Sequence, residues 1–332
     1  MTSTFRSVLI FAPESPHTAK FINMIDDDIQ CHPIIIETGI SSGIPRPYDL
    51  VSQRSIAGIF KIISAVRRCQ LGCIHVHSIN FTAFLVALFA TKPIILTAWG
   101  SDVLLVPSRS FIHKAIIRFI LRKAKVVSSN DSPYMVQAIK ALTPEIEVKK
   151  VHFGVSKYCI SPQEATRKEN IIYSPRGHAP LYNIDKIIMA FREFYKTNPG
   201  WKLVIAGQTD AHNTPKLYEM SKGMPIRFVG FTTQEQNADF LRRAKIMVSI
   251  PSSDALSVSL MEGIYSNCIC FVSNLLPNQK VIKHGVNGFL GDPDFRLYEE
   301  IDFIKMAKTN GKRSKMWNFA HNKKRFLSLY IR

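Results

Sequence analysis

The sequence predicts an α/β protein built from two doubly wound parallel sheets, and three observations carry that expectation. Short apolar, β-branched runs alternate with stretches of helical period along nearly the whole chain, as in a parallel sheet with crossover helices. A length of 332 residues suits two domains rather than one. Finally, an apolar run at 247–250 feeds a helical stretch through the polar turn Ser252-Ser253-Asp254. In sheets of this kind, such a turn presents free helix N–H groups to an anion, above all a phosphate.

In the first half, strands are expected at 7–12, 33–37, 74–77, 93–98, 126–129 and 148–153, each an apolar run bounded by turn residues. Helices are expected at 18–25, 55–69, 81–90, 111–123 and 132–142. The carboxyl edge of that sheet, where ligands bind, carries residues 14–17, His75 and His77, and residues 99–102. A turn at Gly154, which tolerates positive φ, and a polar connector over 156–169 lead into the second half. There the strands are expected at 170–174, 201–206, 226–229, 247–250 and 268–272. The helices are expected at 184–195, 214–222, 233–244, 255–265, 298–308, which a break at Asn310-Gly311 ends, and 316–330. The domains are thus 1–153 and 154–312, with 313–332 returning to the first.

Composition narrows the function. With 46% hydrophobic residues the chain can bury sizeable cores, and a net charge of +18 implies an anionic partner or surface. Nucleic acid is not the expected partner, because neither aromatic–basic interleaving nor a recognition motif is present. Cys69/Cys73 and Cys268/Cys270 lack zinc-site spacing, so the six cysteines read as reduced thiols of a cytoplasmic protein. The apolar run near the start is too short for a signal peptide, and the longest, 81–90, is too short to span a bilayer. Residues 109–125 place Lys114, Arg118, Arg122 and Lys125 near helical spacing beside Ile116, Ile117, Phe119 and Ile120. This stretch reads either as a sheet-covering helix with a solvated basic face or as a contact for an anionic membrane. Lys323-Lys324-Arg325 carries the same two readings.

Glu262 lies eight residues after Asp254, about two turns into the expected helix, where a carboxylate can accept hydrogen bonds from ligand hydroxyls. Taken singly, Asp254 reads as a helix cap and Glu262 as a solvated acid. Together with the strand–turn–helix they read as a site for a molecule carrying both phosphate and sugar.

That pattern, followed by Asn287-Gly288-Phe289-Leu290, resembles the donor-site signature of retaining GT-B glycosyltransferases of the family-4-like kind. Asp254 stands where the family usually has Glu, and Asn267 where it has Gly. The stretches at 14–21, 75–77 and 96–104 are similar to the family's acceptor domain, with Trp99 where many members carry a histidine. Ser174-Pro175-Arg176-Gly177 resembles the position whose arginine clamps the donor diphosphate, although Leu181 replaces the usual lysine.

The resemblance implies two Rossmann-like domains facing across a cleft and a nucleotide-sugar donor on the second domain. Glu262 would bind the ribose, and Asp254 would lie near the sugar. The amides of Leu256, Ser257 and Val258 would hold sugar or phosphate oxygens, and Arg176 the leaving diphosphate. Gly207 and Phe231 would border the base. Ser15, Trp99, Gly100 and Asp102 would line the acceptor side, with His17 and His77 as candidates for the reacting centre or as strand-end histidines satisfied by backbone. No metal or other cofactor is expected. The acceptor would be a saccharide or lipid-linked glycan of cell-surface polysaccharide synthesis, handled in the cytoplasm or at the inner membrane face. The alternatives are a nucleotide-sugar epimerase of the same fold, which would consume donor without acceptor, and a non-enzymatic anion-binding protein, which could lack both Arg176 and Glu262.

Overall fold

The structure is a computed structural model that describes residues 6–37, 48–129, 133–151, 154–159, 168–254, 256–314 and 317–331. Ser132, residues 152–153, most of the 156–169 connector, Ala255 and Met316, on which sequence expectations fall, lie outside the described residues. The chain divides into two compact units, residues 1–153 with 320–332, and residues 154–319.

The first unit runs β1 (Ser7–Pro13), α1 (Pro16–Ile25), β2 (Gln30–Ile36), β3 (Asp49–Val51), α2 (Ile56–Arg67), β4 (Cys73–His77), α3 (Phe81–Phe89), β5 (Ile94–Thr97), α4 (Ser101–Leu104), α5 (Val106–Arg109), α6 (Phe111–Lys123), β6 (Val126–Ser129), α7 (Pro133–Leu142) and β7 (Glu147–Lys150). Its seven strands are parallel in the order β3-β2-β1-β4-β5-β6-β7. Side chains alternate across a strand. Leu9, Phe11, Val76 and Leu96 therefore face one core with Ile62 of α2, Val86 of α3, Ile117 of α6 and Ile139 of α7. His75 and His77 face the other way, towards Phe21 of α1. The edge strand β3 is too short for periodicity to reveal.

The second unit runs β8 (Glu169–Ser174), α8 (Ile184–Tyr195), β9 (Lys202–Ala206), α9 (Asn213–Met220), β10 (Ile226–Gly230), α10 (Gln234–Arg243), β11 (Ala244–Ser249), α11 (Val258–Tyr265), β12 (Ile269–Val272), α12 (Leu276–Gln279), β13 (Gly288–Leu290) and α13 (Phe303–Ser314). Its six parallel strands follow the order β10-β9-β8-β11-β12-β13. One face packs Ile187, Phe191 and Phe194 of α8 with Trp201 and Phe295; the other packs Leu241 of α10, Leu260 and Ile264 of α11, and Trp317. Gly288 is needed for close approach, since a Cβ there would stand 2.2 Å from the Cys270 carbonyl oxygen.

Two expectations near the C-terminus are corrected. The single helix at 298–308 is instead a 3-10 turn, Phe295–Glu300, followed by α13, which continues through Asn310-Gly311. The helix survives these breakers because Asn310 is fully buried and hydrogen-bonds Asn287 (3.1 Å) and Asn267 (3.3 Å). The return to the first unit begins at 320 rather than 313, because Trp317 belongs to the second core and its carbonyl accepts from Val155 N at 2.9 Å.

The last helix, α14 (Phe319–Leu327), then places Phe326 5.2 Å from Phe21 and Lys323 2.8 Å from Asp28. Lys323 is thereby spent on an ion pair rather than left as part of a free basic patch. All six cysteines are free thiols. Among the described residues no helix is long and apolar enough to cross a membrane.

Candidate active site

Each sheet reverses its strand order once, between β1 and β4 in the first unit and between β8 and β11 in the second. The loops leaving such paired strands diverge to opposite faces, and the crevice between them is where open α/β sheets bind ligands. In the second unit those loops carry Arg176 and Asp254. Arg176 Nη2 donates to Asp254 Oδ2 at 2.9 Å, and its guanidinium lies 4.5 Å from the centre of the Tyr182 ring. Tyr182 thus supports the arginine through its ring face. The two loops are stitched beneath the pair, where Ser252 N donates to Leu181 O at 2.9 Å and Asn183 Nδ2 to Ile250 O at 2.7 Å. Gly207, at φ +101°, closes the loop from below: a Cβ there would come within 2.6 Å of the Arg176 backbone. The glycine expected to border a base is thus required for packing under the arginine. Lys186, the next cation along the chain, sits 3.5 Å from Asp292.

The helix after the turn starts three residues later than expected. Its cap is Ser257, whose Oγ accepts from Leu260 N at 3.1 Å, so Asp254 is not the cap. Among the described hydrogen bonds the amides of Leu256, Ser257 and Val258 have no protein acceptor, while the helix dipole favours an anion in front of them. Glu262, 6% exposed, accepts from Ser156 N at 3.0 Å and Asn237 Nδ2 at 2.9 Å. Asn237 is itself oriented by Tyr173 Oη, which donates to its Oδ1 at 2.8 Å. Each carboxylate oxygen of Glu262 thus takes a donor from the protein, and the side chain is held in place. Asn237 and Ser156 are positioning residues that the sequence reading missed. Neither belongs to a motif, and both reach Glu262 only through the fold. Phe231, after Gly230, is partly exposed and lines a pocket of about 520 Å³ with Thr232, Gln236 and Phe240.

The candidates of the first unit fare differently. Ser15 caps α1, accepting from Thr18 N at 3.2 Å, so its hydroxyl is turned to the helix. His17 is partly buried, with its ring edge-on to Trp99 at 5.7 Å.

His77 is corrected as a candidate at the reacting centre. It is 1% exposed, packed 4.2 Å from Phe21, and burial pushes its pKa down to about 3. It therefore stays neutral and covered by α1. Its neighbour His75 is likewise held well below the usual histidine value, first by burial and then by His77. Its ring bridges Tyr330 Oη (2.6 Å) and Thr97 Oγ1 (2.7 Å), tying the returning tail to the sheet.

Asp102 is corrected as a lining residue. Its carboxylate points inward and takes the backbone N–H groups of Ile79 (2.9 Å), Trp99 (3.1 Å), Gly100 (2.8 Å) and Val103 (3.1 Å). Burial raises its pKa and those four donors draw it back. Its task is to hold the loops after β4 and β5, including Trp99 and Gly100, in one shape. Among the described residues no group of three or more His, Cys, Asp or Glu side chains is placed to hold a metal ion.

Two family models match the chain. Residues 160–321 match glycosyl transferases group 1 and residues 7–131 match glycosyl transferase 4-like. Comparison with curated proteins finds no match. Among solved structures, HepE of Anabaena in complex with UDP and glucose is similar at TM-score 0.75 and 11% identity, covering 97% of this chain and 98% of that one. Sucrose-phosphate synthase of Thermosynechococcus elongatus is similar at TM-score 0.72 and 12% identity, covering 98% of each chain. A glycosyltransferase of Rickettsia africae follows at TM-score 0.68 and 13% identity, covering 99% of this chain and 98% of its own.

Proposed function

Given that this chain is a GT-B glycosyltransferase of the family-4-like kind, we propose that it moves a sugar from a nucleoside-diphosphate donor held by its second unit to a saccharide or lipid-linked acceptor, with retention of anomeric configuration. The observation that carries this reading is Arg176 at the strand-order reversal of the second sheet, beside the open amides at the start of α11. A diphosphate placed there meets an arginine fork and a helix N-terminus, both suited to phosphate. As the glycosidic bond to the diphosphate breaks, the same groups offset the charge growing on the leaving oxygens. Glu262, buried and held by Ser156 N and Asn237 Nδ2, takes the ribose hydroxyls. With no side chain assigned as nucleophile, retention follows if the acceptor hydroxyl attacks from the leaving-group side and passes its proton to the departing phosphate. This scheme runs without a bound metal. UDP is the first nucleotide to test, since HepE binds UDP and UDP-glucose.

A lipid-linked acceptor, as in polysaccharide assembly, calls for contact with a membrane, and the first unit supports that part of the reading. From Val51 to Asn130 the chain has eleven Lys and Arg but a single acidic residue, the buried Asp102. Helices α2, α3 and α6 cover one sheet face side by side, joined by Arg67 over Phe89 and by the Phe84–Phe119 ring contact. Their outer sides expose Phe60, Phe81, Leu88 and Phe111, the last at 83%. Apolar insertion ringed by positive charge suits an anionic bilayer.

Calorimetric titration of UDP, GDP, ADP, CMP and dTDP without divalent metal tests the donor site. One of them binds wild type, and Glu262→Gln and Glu262→Ala weaken it about 10- to 100-fold, as expected for charge-assisted hydrogen bonds of about 1.5–3 kcal/mol. Binding of none of the five by a folded wild-type protein refutes the reading.

A further inference from the structure

Arg176 is the single Lys or Arg between Glu169 and Lys186, and a diphosphate that uses it draws on the same guanidinium that Asp254 now holds. The pair is well sheltered, its side chains only 14% and 23% exposed, and the guanidinium lies over the Tyr182 ring, 4.5 Å from its centre. Backbone and Asn183 hydrogen bonds already join the two loops beneath it. An exchange of partners therefore needs only side-chain motion.

Resting on the donor-site reading above, we infer that Asp254 occupies the diphosphate's place on Arg176 and is displaced by it. The displaced carboxylate then turns to the donor sugar. The exchange discriminates between donor and product. A nucleoside diphosphate that carries a sugar offers the released carboxylate hydroxyl donors in return. A bare nucleoside diphosphate leaves it beside the phosphate charge with its arginine taken. Asp254 is thus a specificity-determining residue that favours the intact donor and speeds departure of the spent nucleotide. A site whose competent form is only partly populated binds with an affinity reduced by that fraction, so removing the competitor should tighten the product.

The test measures UDP and UDP-glucose binding, with GDP and GDP-mannose as a second pair, in wild type, Asp254→Asn, Arg176→Ala and the double variant. Thermal melts confirm folding, and Asp254→Ser provides the same charge removal in a smaller side chain. The expected result is UDP bound about three- to ten-fold tighter by Asp254→Asn than by wild type. The added gain from the glucosyl group should shrink, and the tightening should vanish in the Arg176→Ala background. UDP affinity unchanged or weakened in Asp254→Asn overturns the inference, since Asp254 would then only orient Arg176. Equal tightening in the Arg176→Ala background also overturns it, in favour of long-range repulsion. Absence of all nucleotide binding in wild type is instead a failure of the donor-site reading beneath it.

Discussion

Replacing Asp102 by Asn changes one oxygen to nitrogen and leaves the shape intact, so it isolates what the buried carboxylate does. Its Oδ1 serves Gly100 (2.8 Å), Val103 (3.1 Å) and Trp99 (3.2 Å), while Oδ2 serves Ile79 (2.9 Å) and Trp99 (3.1 Å). An asparagine keeps one oxygen, best placed at Oδ1, and turns its NH₂ towards the Ile79 N–H. A buried donor left without an acceptor costs about 1–3 kcal/mol, and the remaining bonds lose their charge assistance. Relief from burying a charge returns part of this. The net expectation is a loss of about 2–3 kcal/mol, or about 4–12 °C in the melting of a domain this size. The carboxylate also holds two unusual backbone positions together, Ser78 at φ +70° and Gly100 at φ +141°. Such conformations persist only when their surroundings over-determine them. Hydrogen exchange should therefore show the amides of Ile79 and Gly100 losing protection before the strands do. Asp102→Asn melting with wild-type stability and full protection at those two amides would refute the reasoning.

Two further outcomes follow from the first unit. His77 titrates near 3 in the folded state and His75 well below its ordinary value, against 6.5 when exposed, so the unfolded chain takes up the protons first and stability falls as pH drops below about 6.5. Between pH 7 and 5.5 each imidazole costs about 1.3 kcal/mol, about 2.5 kcal/mol together. Urea unfolding followed by hydrogen exchange in β4 reads this, and a flat midpoint across that range counts against it. For the membrane face, flotation with phosphatidylglycerol-containing vesicles should carry wild type upward and leave a Phe60→Ser, Phe111→Ser variant behind. Equal flotation with neutral vesicles, or none with either, would remove the membrane from the account.

Much of the architecture was legible because strand and helix signals are local. Helices α6 and α8 and strand β6 lie where periodicity put them. The site was legible as a set of residue types: an arginine at one strand end, a polar turn at another, and an acid two turns on. Its pairings were not. Ser252, Ser253, Asp254 and Ser257 are all acceptable caps by propensity. The cap fell to Ser257 while Asp254 took Arg176, a partner 78 residues away. Glu262 read as free to bind a ligand, and the fold supplied Ser156 and Asn237, 106 and 25 residues distant, to hold it. His77 looked available at a strand end until α1 covered its face.

The sequence by itself determined the two parallel α/β sheets, the chemistry gathered at their carboxyl edges and the absence of acidic charge along 51–130 apart from Asp102, because hydrophobic period and residue type are properties of neighbours in the chain. Only the tertiary structure decided which polar groups are spent on the protein and which remain for a ligand. A buried donor or acceptor must find a partner wherever the fold brings one, and at Asp102, Asp254 and Asn310 that partner was set by proximity in space, beyond the reach of local pattern.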